Sequence, residues 1–203
     1  MLQIFDFIGV GVFAVSGALA GGRKSLDLLG IIVVAMVTGI GGGTIRDVLL
    51  NRGVFWMAQP AYLWVILASA LLTIAYTRRF RPPERALAIA DALGLALFSI
   101  SGAQIAEQLG LPGIVAVIMG AITGVAGGMI RDILTAQIPM ILRKGQIYAT
   151  ASIAGITVYL LLQGVMGTDV AAVLGMMVVA SLRIAAIVWN LALPVFRIDP
   201  ENP

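Results

Sequence analysis

Arg46-Asp47 and Arg131-Asp132 are the residues whose types and setting offer chemistry. Each pair stands inside a long apolar run, directly behind a glycine cluster. The first copy reads Thr38-Gly39-Ile40-Gly41-Gly42-Gly43-Thr44-Ile45-Arg46-Asp47. The second, 85 positions later, reads Thr123-Gly124-Val125-Ala126-Gly127-Gly128-Met129-Ile130-Arg131-Asp132. A charge at bilayer depth costs roughly 2.5–3.5 kcal/mol on insertion scales. Each glycine weakens a helix by about 1 kcal/mol relative to alanine. A costly decamer that occurs twice is not incidental. The chemistry it offers is ionic: carboxylates and opened carbonyls for a cation, guanidinium groups and amides for an anion or an ion pair. The chain has no His and no Cys. That removes the usual general base near neutral pH, the commonest metal ligand and every thiolate. Neither an enzyme nor a cofactor is expected, and nothing points to nucleic acid.

The elements that must position these pairs are membrane spans. Of 203 residues, 60% are apolar and 11% charged, and the mean hydropathy is +1.04. A soluble domain carries about 25% charged residues, so the class is integral membrane protein. Seven apolar segments of spanning length lie at about 4–20, 28–50, 61–77, 86–106, 112–134, 146–164 and 170–193. Trp56, Tyr62, Trp64, Tyr76 and Tyr148 fall near their ends, as interfacial aromatics do. Ala18-Leu19-Ala20 resembles a signal cleavage site. The segment before it lacks a basic start and contains Asp6, so it reads as a span. With the N-terminus outside, the inner loops and tail hold Arg23, Lys24, Arg78, Arg79, Arg81, Arg85, Arg143, Lys144 and Arg197, and the outer loops hold only Arg52. That bias sets the N-terminus out and the C-terminus in. The basic run from Arg78 to Arg85 also offers a surface to anionic lipid at the inner face.

The repeat is wider than the decamer. At the same offset Asp6 matches Asp91, Gly9 matches Gly94 and Phe13 matches Phe98. Ser16-Gly17-Ala18 matches Ser101-Gly102-Ala103. Three spans per copy means the second copy enters from the opposite face. The expected fold is therefore all-α integral membrane: seven transmembrane helices, two inverted three-helix repeats plus a seventh helix. Residues 1–80 hold the first repeat, 86–165 the second, 168–195 the seventh helix and 196–203 a short cytoplasmic tail.

Two readings stand for the glycines. Gly41, Gly42, Gly43 and their copies Gly127 and Gly128 break their helices and open the backbone toward a cavity. Gly39, Gly120, Gly124 and Gly128 also fit close helix packing at small-xxx-small spacing. If the helices break, Asp47 and Asp132 fall in the first turn after each break, where a carboxylate complements the dipole. Arg46 and Arg131 either pair with an acid or snorkel to an interface. Neighbours on a helix point apart, so a partner on another helix, such as Asp6 or Asp91, is expected. Ser16, Ser101, Thr38 and Thr123 either face the path or bond their own helices. Arg183 lies inside the seventh span and either snorkels or pairs with an acid.

Two Gly-Gly-x-x-Arg-Asp motifs, Gly42 to Asp47 and Gly127 to Asp132, in a three-plus-three-plus-one chain resemble the bacterial and archaeal TRIC channels, the trimeric intracellular cation channel family. The resemblance covers essentially the whole chain. It implies a homotrimer in a prokaryotic plasma membrane, with one pore per protomer lined by glycine-kinked second and fifth helices. Monovalent cations, K⁺ and also Na⁺, are the implied permeant ions. Carried onto this sequence, the pore residues are Gly41 to Gly43, Arg46, Asp47, Gly127, Gly128, Arg131 and Asp132. The second copy departs from the full triplet, since Ala126 stands opposite Gly41. The competing reading is a secondary transporter for glycine or another small zwitterion, with Arg holding a carboxylate and Asp an amine.

Overall fold

A computed structural model describes residues 2–194. The expected tail at 196–203 and Arg197 lie outside the described residues. Helices α1 (Leu2–Arg23) and α2 (Leu28–Leu49) are followed by a short α3 (Phe55–Ala58) and by α4 (Ala61–Arg79). Then come α5 (Ala86–Gln108), α6 (Gly113–Leu134), α7 (Ala149–Met166) and α8 (Thr168–Trp189). Seven of these are long and apolar enough to cross a membrane. Among the described residues there is no strand, only an isolated antiparallel bridge between Gln146 and Ala192.

Long helices are the form this sequence needs, because lipid cannot satisfy backbone amides and carbonyls. The ends carry recognisable stops. Asp27 caps α2, its Oδ1 accepting from the Gly30 amide at 2.7 Å. Gly110 after α5 and Gly167 between α7 and α8 have φ of +71° and +80°, turns that glycine makes without a Cβ penalty. The short α3 occupies the connection after α2, and a 3₁₀ turn (Met140–Leu142) occupies the matching place after α6.

Helices α1 and α5 form the centre, with 61% and 67% of their spanning windows buried, against 22% for α4 and 28% for α7. Small residues let them pack closely, and Phe13 of α1 stacks on Phe98 of α5 with ring centroids 5.3 Å apart. Outer helices turn apolar side chains such as Leu72, Leu161 and Val165 outward, as a lipid-facing surface requires. Trp64 and Tyr76 are exposed as expected of interfacial aromatics. Tyr62 and Tyr148 are not: both are buried, Tyr62 because it stacks on Phe7 at 4.2 Å.

The expectation of broken second and fifth spans is corrected. Both α2 and α6 run unbroken through Gly41–Gly43 and Gly127–Gly128. The glycines serve contact instead. A Cβ at Gly42 would overlap the Thr123 carbonyl oxygen, and one at Gly127 would overlap that of Thr38. The two contacts exchange under the 85-residue offset, so α2 and α6 cross backbone to backbone at a reciprocal seam. Gly17 and Gly102 likewise sit against Thr38 and Thr123.

Candidate functional site

Two ionic clusters lie inside the bundle. The first gathers Arg46 and Asp47 from the last turn of α2 with Asp6 from α1, and all three are buried. Arg46 Nε donates to Asp47 Oδ1 at 2.9 Å. The other carboxylate oxygen, Oδ2, accepts from the Phe55 amide at 2.9 Å, and the Arg46 guanidinium stands over the Phe55 ring at 5.5 Å. Asp47 therefore holds the arginine with one oxygen and the chain beyond the helix with the other.

The second cluster repeats this arrangement at the end of α6. Arg131 Nε donates to Asp132 Oδ1 at 2.9 Å, and Asp132 Oδ2 accepts from the Met140 amide at 2.8 Å. Met140 stands to Phe55 as Arg131 stands to Arg46, at the same offset of 85. The placement of both aspartates differs from expectation. They close the last turn of an unbroken helix rather than opening the turn after a break. Adjacent Arg and Asp meet in both clusters, although neighbours on a helix ordinarily diverge.

The clusters differ in one respect. Arg131 Nη1 also donates to Asp91 Oδ1 of α5 at 2.6 Å and to Ser16 Oγ of α1, with Arg131 and Asp91 both fully buried. The expected partner on another helix is thus present beside the adjacent one. In the first cluster Arg46 Nη1 has no partner. Asp6 instead accepts from Ser101 Oγ of α5 at 2.5 Å. The same four positions hold two different bonding patterns, with the arginine engaged by α5 in one and released from its matching acid in the other.

The remaining expected residues are placed as follows. Thr38 and Thr123 are fully buried, and their hydroxyls bond back to Val34 and Met119 carbonyls at 2.6 Å. A Cβ at Gly41 would approach Ile130, one at Gly43 would overlap the Phe55 ring, and one at Gly128 would press on Asp91 and the Tyr148 hydroxyl. Arg183 of α8 neither snorkels nor pairs with an acid: it is buried over the Tyr148 ring at 4.5 Å. Phe55, Met140 and Tyr148 border the clusters without having been expected there. Counting 85 positions from Phe55 would have found Met140.

A cavity of about 320 Å³ leads to Asp132 from the bundle end that carries Arg23, Lys24 and Arg143. In a low-dielectric interior such paired charges hold one another strongly and leave little room for water. Asp6, Asp47, Asp91 and Asp132 are thus buried with Arg46 and Arg131, and Arg183 stands on Tyr148 beside the second pair.

A family model described as "Glycine transporter" matches residues 3–78 and again 88–164. The inner membrane protein YadS of Escherichia coli K12 is 44% identical over 97% of this chain and 96% of its own. The crystal structure of the TRIC trimeric intracellular cation channel orthologue from Rhodobacter sphaeroides is similar with a TM-score of 0.88 and 37% identity, covering 94% of this chain and 98% of that one. A prokaryotic TRIC channel in 0.5 M KCl is similar with a TM-score of 0.88 and 32% identity, over 95% and 98% of the two chains.

Proposed function

The chain belongs to the family matched by the glycine-transporter model, whose solved members are TRIC cation channels, and from that premise we propose a homotrimeric K⁺-permeable channel with one ion path in each protomer. The solved relatives are ion channels rather than enzymes. The protein sits in a bacterial plasma membrane, like the E. coli inner membrane relative, with its N-terminus outside and anionic lipid against its basic inner face. Residues 1–80 and 86–165 are two inverted repeats, and 168–195 add the seventh helix. The reciprocal contacts of Gly42 with Thr123 and of Gly127 with Thr38 support that division.

One observation carries the ion path: two buried clusters of paired aspartate and arginine are joined by the α2–α6 seam. Along it lie Gly41, Gly42, Gly43, Gly127 and Gly128, with Arg46, Asp47, Arg131 and Asp132 at its ends and Ser16, Ser101, Asp6 and Asp91 beside them. Thr38 and Thr123 present backbone carbonyls at the crossing, the groups that replace water around a permeating cation. The helices touch there, so conduction requires α2 and α6 to part. K⁺ and Na⁺ are the permeant ions, and no cofactor takes part.

A second reading is favoured by the unequal clusters. Two inverted halves caught in different bonding patterns are what an alternating-access carrier presents, with glycine or a similar zwitterion as cargo. Single-channel recording in planar bilayers under a KCl gradient, with and without glycine, separates the two. Unitary steps that reverse near the K⁺ potential and ignore glycine are expected. No unitary current, together with saturable glycine uptake into liposomes from the same preparation, would replace the channel with the carrier.

A further inference from the structure

Residues of α5, α8 and the connection between α6 and α7 enclose a basin of about 430 Å³ that borders the second ionic cluster at Met140. Among the described residues Arg85, Arg143, Lys144 and Arg183 line it, and no Asp or Glu does. Four converging cations without a carboxylate make a concentrated positive field. Arg183 is buried, with 1% of its surface exposed. Its Nη1 donates to the Ile147 carbonyl at 2.7 Å, and stacking on Tyr148 fixes its plane. Its Nε has no partner among the described residues, and a buried N–H left unmatched is costly. The chain after α8 is strapped to this wall, since the Leu193 amide donates to the Gly145 carbonyl at 2.8 Å and Gln146 bridges Ala192.

We propose that this basin is an oxyanion site that takes a phosphate group of the kind an anionic lipid headgroup carries, with Arg183 at its base and Arg85, Arg143 and Lys144 around its mouth. Guanidinium N–H groups match phosphate oxygens in geometry as well as charge. The position suits a headgroup: the exposed side chains of Leu182, Val188 and Leu191 lie on the same stretch of chain, offering an apolar surface to acyl chains. The site does not depend on whether the core conducts or carries.

The full-length protein in phosphatidylcholine nanodiscs, with and without phosphatidylglycerol, tests this through thermal unfolding and lipid retention by native mass spectrometry. Phosphatidylglycerol is expected to raise the unfolding midpoint of the wild type and to be retained. Arg143→Gln/Lys144→Gln should weaken its apparent affinity about thirtyfold. Arg183→Gln should abolish retention, and Arg52→Gln, an exposed basic residue outside both the basin and the Arg78–Arg85 run, should leave it intact. Inorganic phosphate added to phosphatidylcholine-only discs is the second arm. The same shift, lost in the same double variant, would support the oxyanion site and assign it to free phosphate. If neither probe shifts the wild type, or if Arg143→Gln/Lys144→Gln responds like the wild type to both, the proposal is overturned. Arg143 and Lys144 are exposed, so that variant decides the matter even where Arg183→Gln fails to fold.

Discussion

Asp91 and Asp6 occupy matched positions in the two halves but hold different things, and that difference is measurable. Asp91 is ion-paired with Arg131, both fully buried. Asp91→Asn removes one of the two carboxylates that Arg131 holds and leaves it Asp132 alone, a loss of about 1.5–3 kcal/mol for a bond to a charged group. Asp6 accepts from the Ser101 hydroxyl, and an asparagine oxygen accepts equally well, so Asp6→Asn should cost about 1 kcal/mol or less. Unfolding of the two variants in detergent should show Asp91→Asn far less stable, and equal losses would count against the unequal clusters. That Arg46, Asp47, Arg131 and Asp132 stand apart was legible in the sequence as charges inside apolar runs, and all four are buried. Their partners were not legible there. The rule that neighbours on a helix diverge pointed to other helices, yet each arginine also bonds the aspartate next to it. Phe55 and Met140 contribute backbone amides, which carry no residue-type signal at all.

At the scale of helices, seven spans were legible from hydropathy, and α2 and α6 begin and end within a residue or so of their expected limits. The behaviour of their glycines was not legible, because a glycine run suits both a break and a close crossing. What decides it is the other helix: the Thr123 carbonyl oxygen occupies the space a Gly42 side chain would need. This yields an ordering. Gly42→Ala and Gly127→Ala set a methyl against backbone that cannot swing aside, so α2 and α6 must separate, an overpacking cost of about 1–3 kcal/mol or more. Gly41→Ala meets the Ile130 Cδ1 at 3.0 Å, the movable end of a side chain, and gains about 1 kcal/mol of helix propensity. Thermal unfolding should rank Gly41→Ala near wild type and both seam variants well below it. If the seam is where the path opens, the seam variants should also change unitary conductance more than Gly41→Ala does.

The whole molecule is two halves that exchange roles about their contacts, with α8 outside the exchange. Among the described residues α8 packs on α7 and α5 and brings Arg183 over Tyr148, beside the second cluster alone. Nothing in the first half matches it, so the two halves stand in unequal surroundings although their motifs are alike. The exchange has a consequence for topology. If the halves are inverted, the loops after α1 and α6 share one side of the membrane, and those after α2 and α5 share the other. By the positive-inside rule the first set is expected inside, since it holds Arg23, Lys24, Arg143 and Lys144 against Arg52 alone. The chain has no native cysteine, which permits a direct test by single substitution at exposed positions. Gln108→Cys and Asp169→Cys should react with a membrane-impermeant maleimide added to intact cells. Glu84→Cys and Gln137→Cys should react only after permeabilisation. The reverse pattern would turn the protein over, moving the Arg131 cluster and the basic basin to the outer face. Asn51→Cys, also exposed, tests the inversion itself, because the loops after α2 and α6 are matching places in the two halves: Asn51 and Gln137 label from opposite sides if the second half enters from the opposite face, and from one side if it does not.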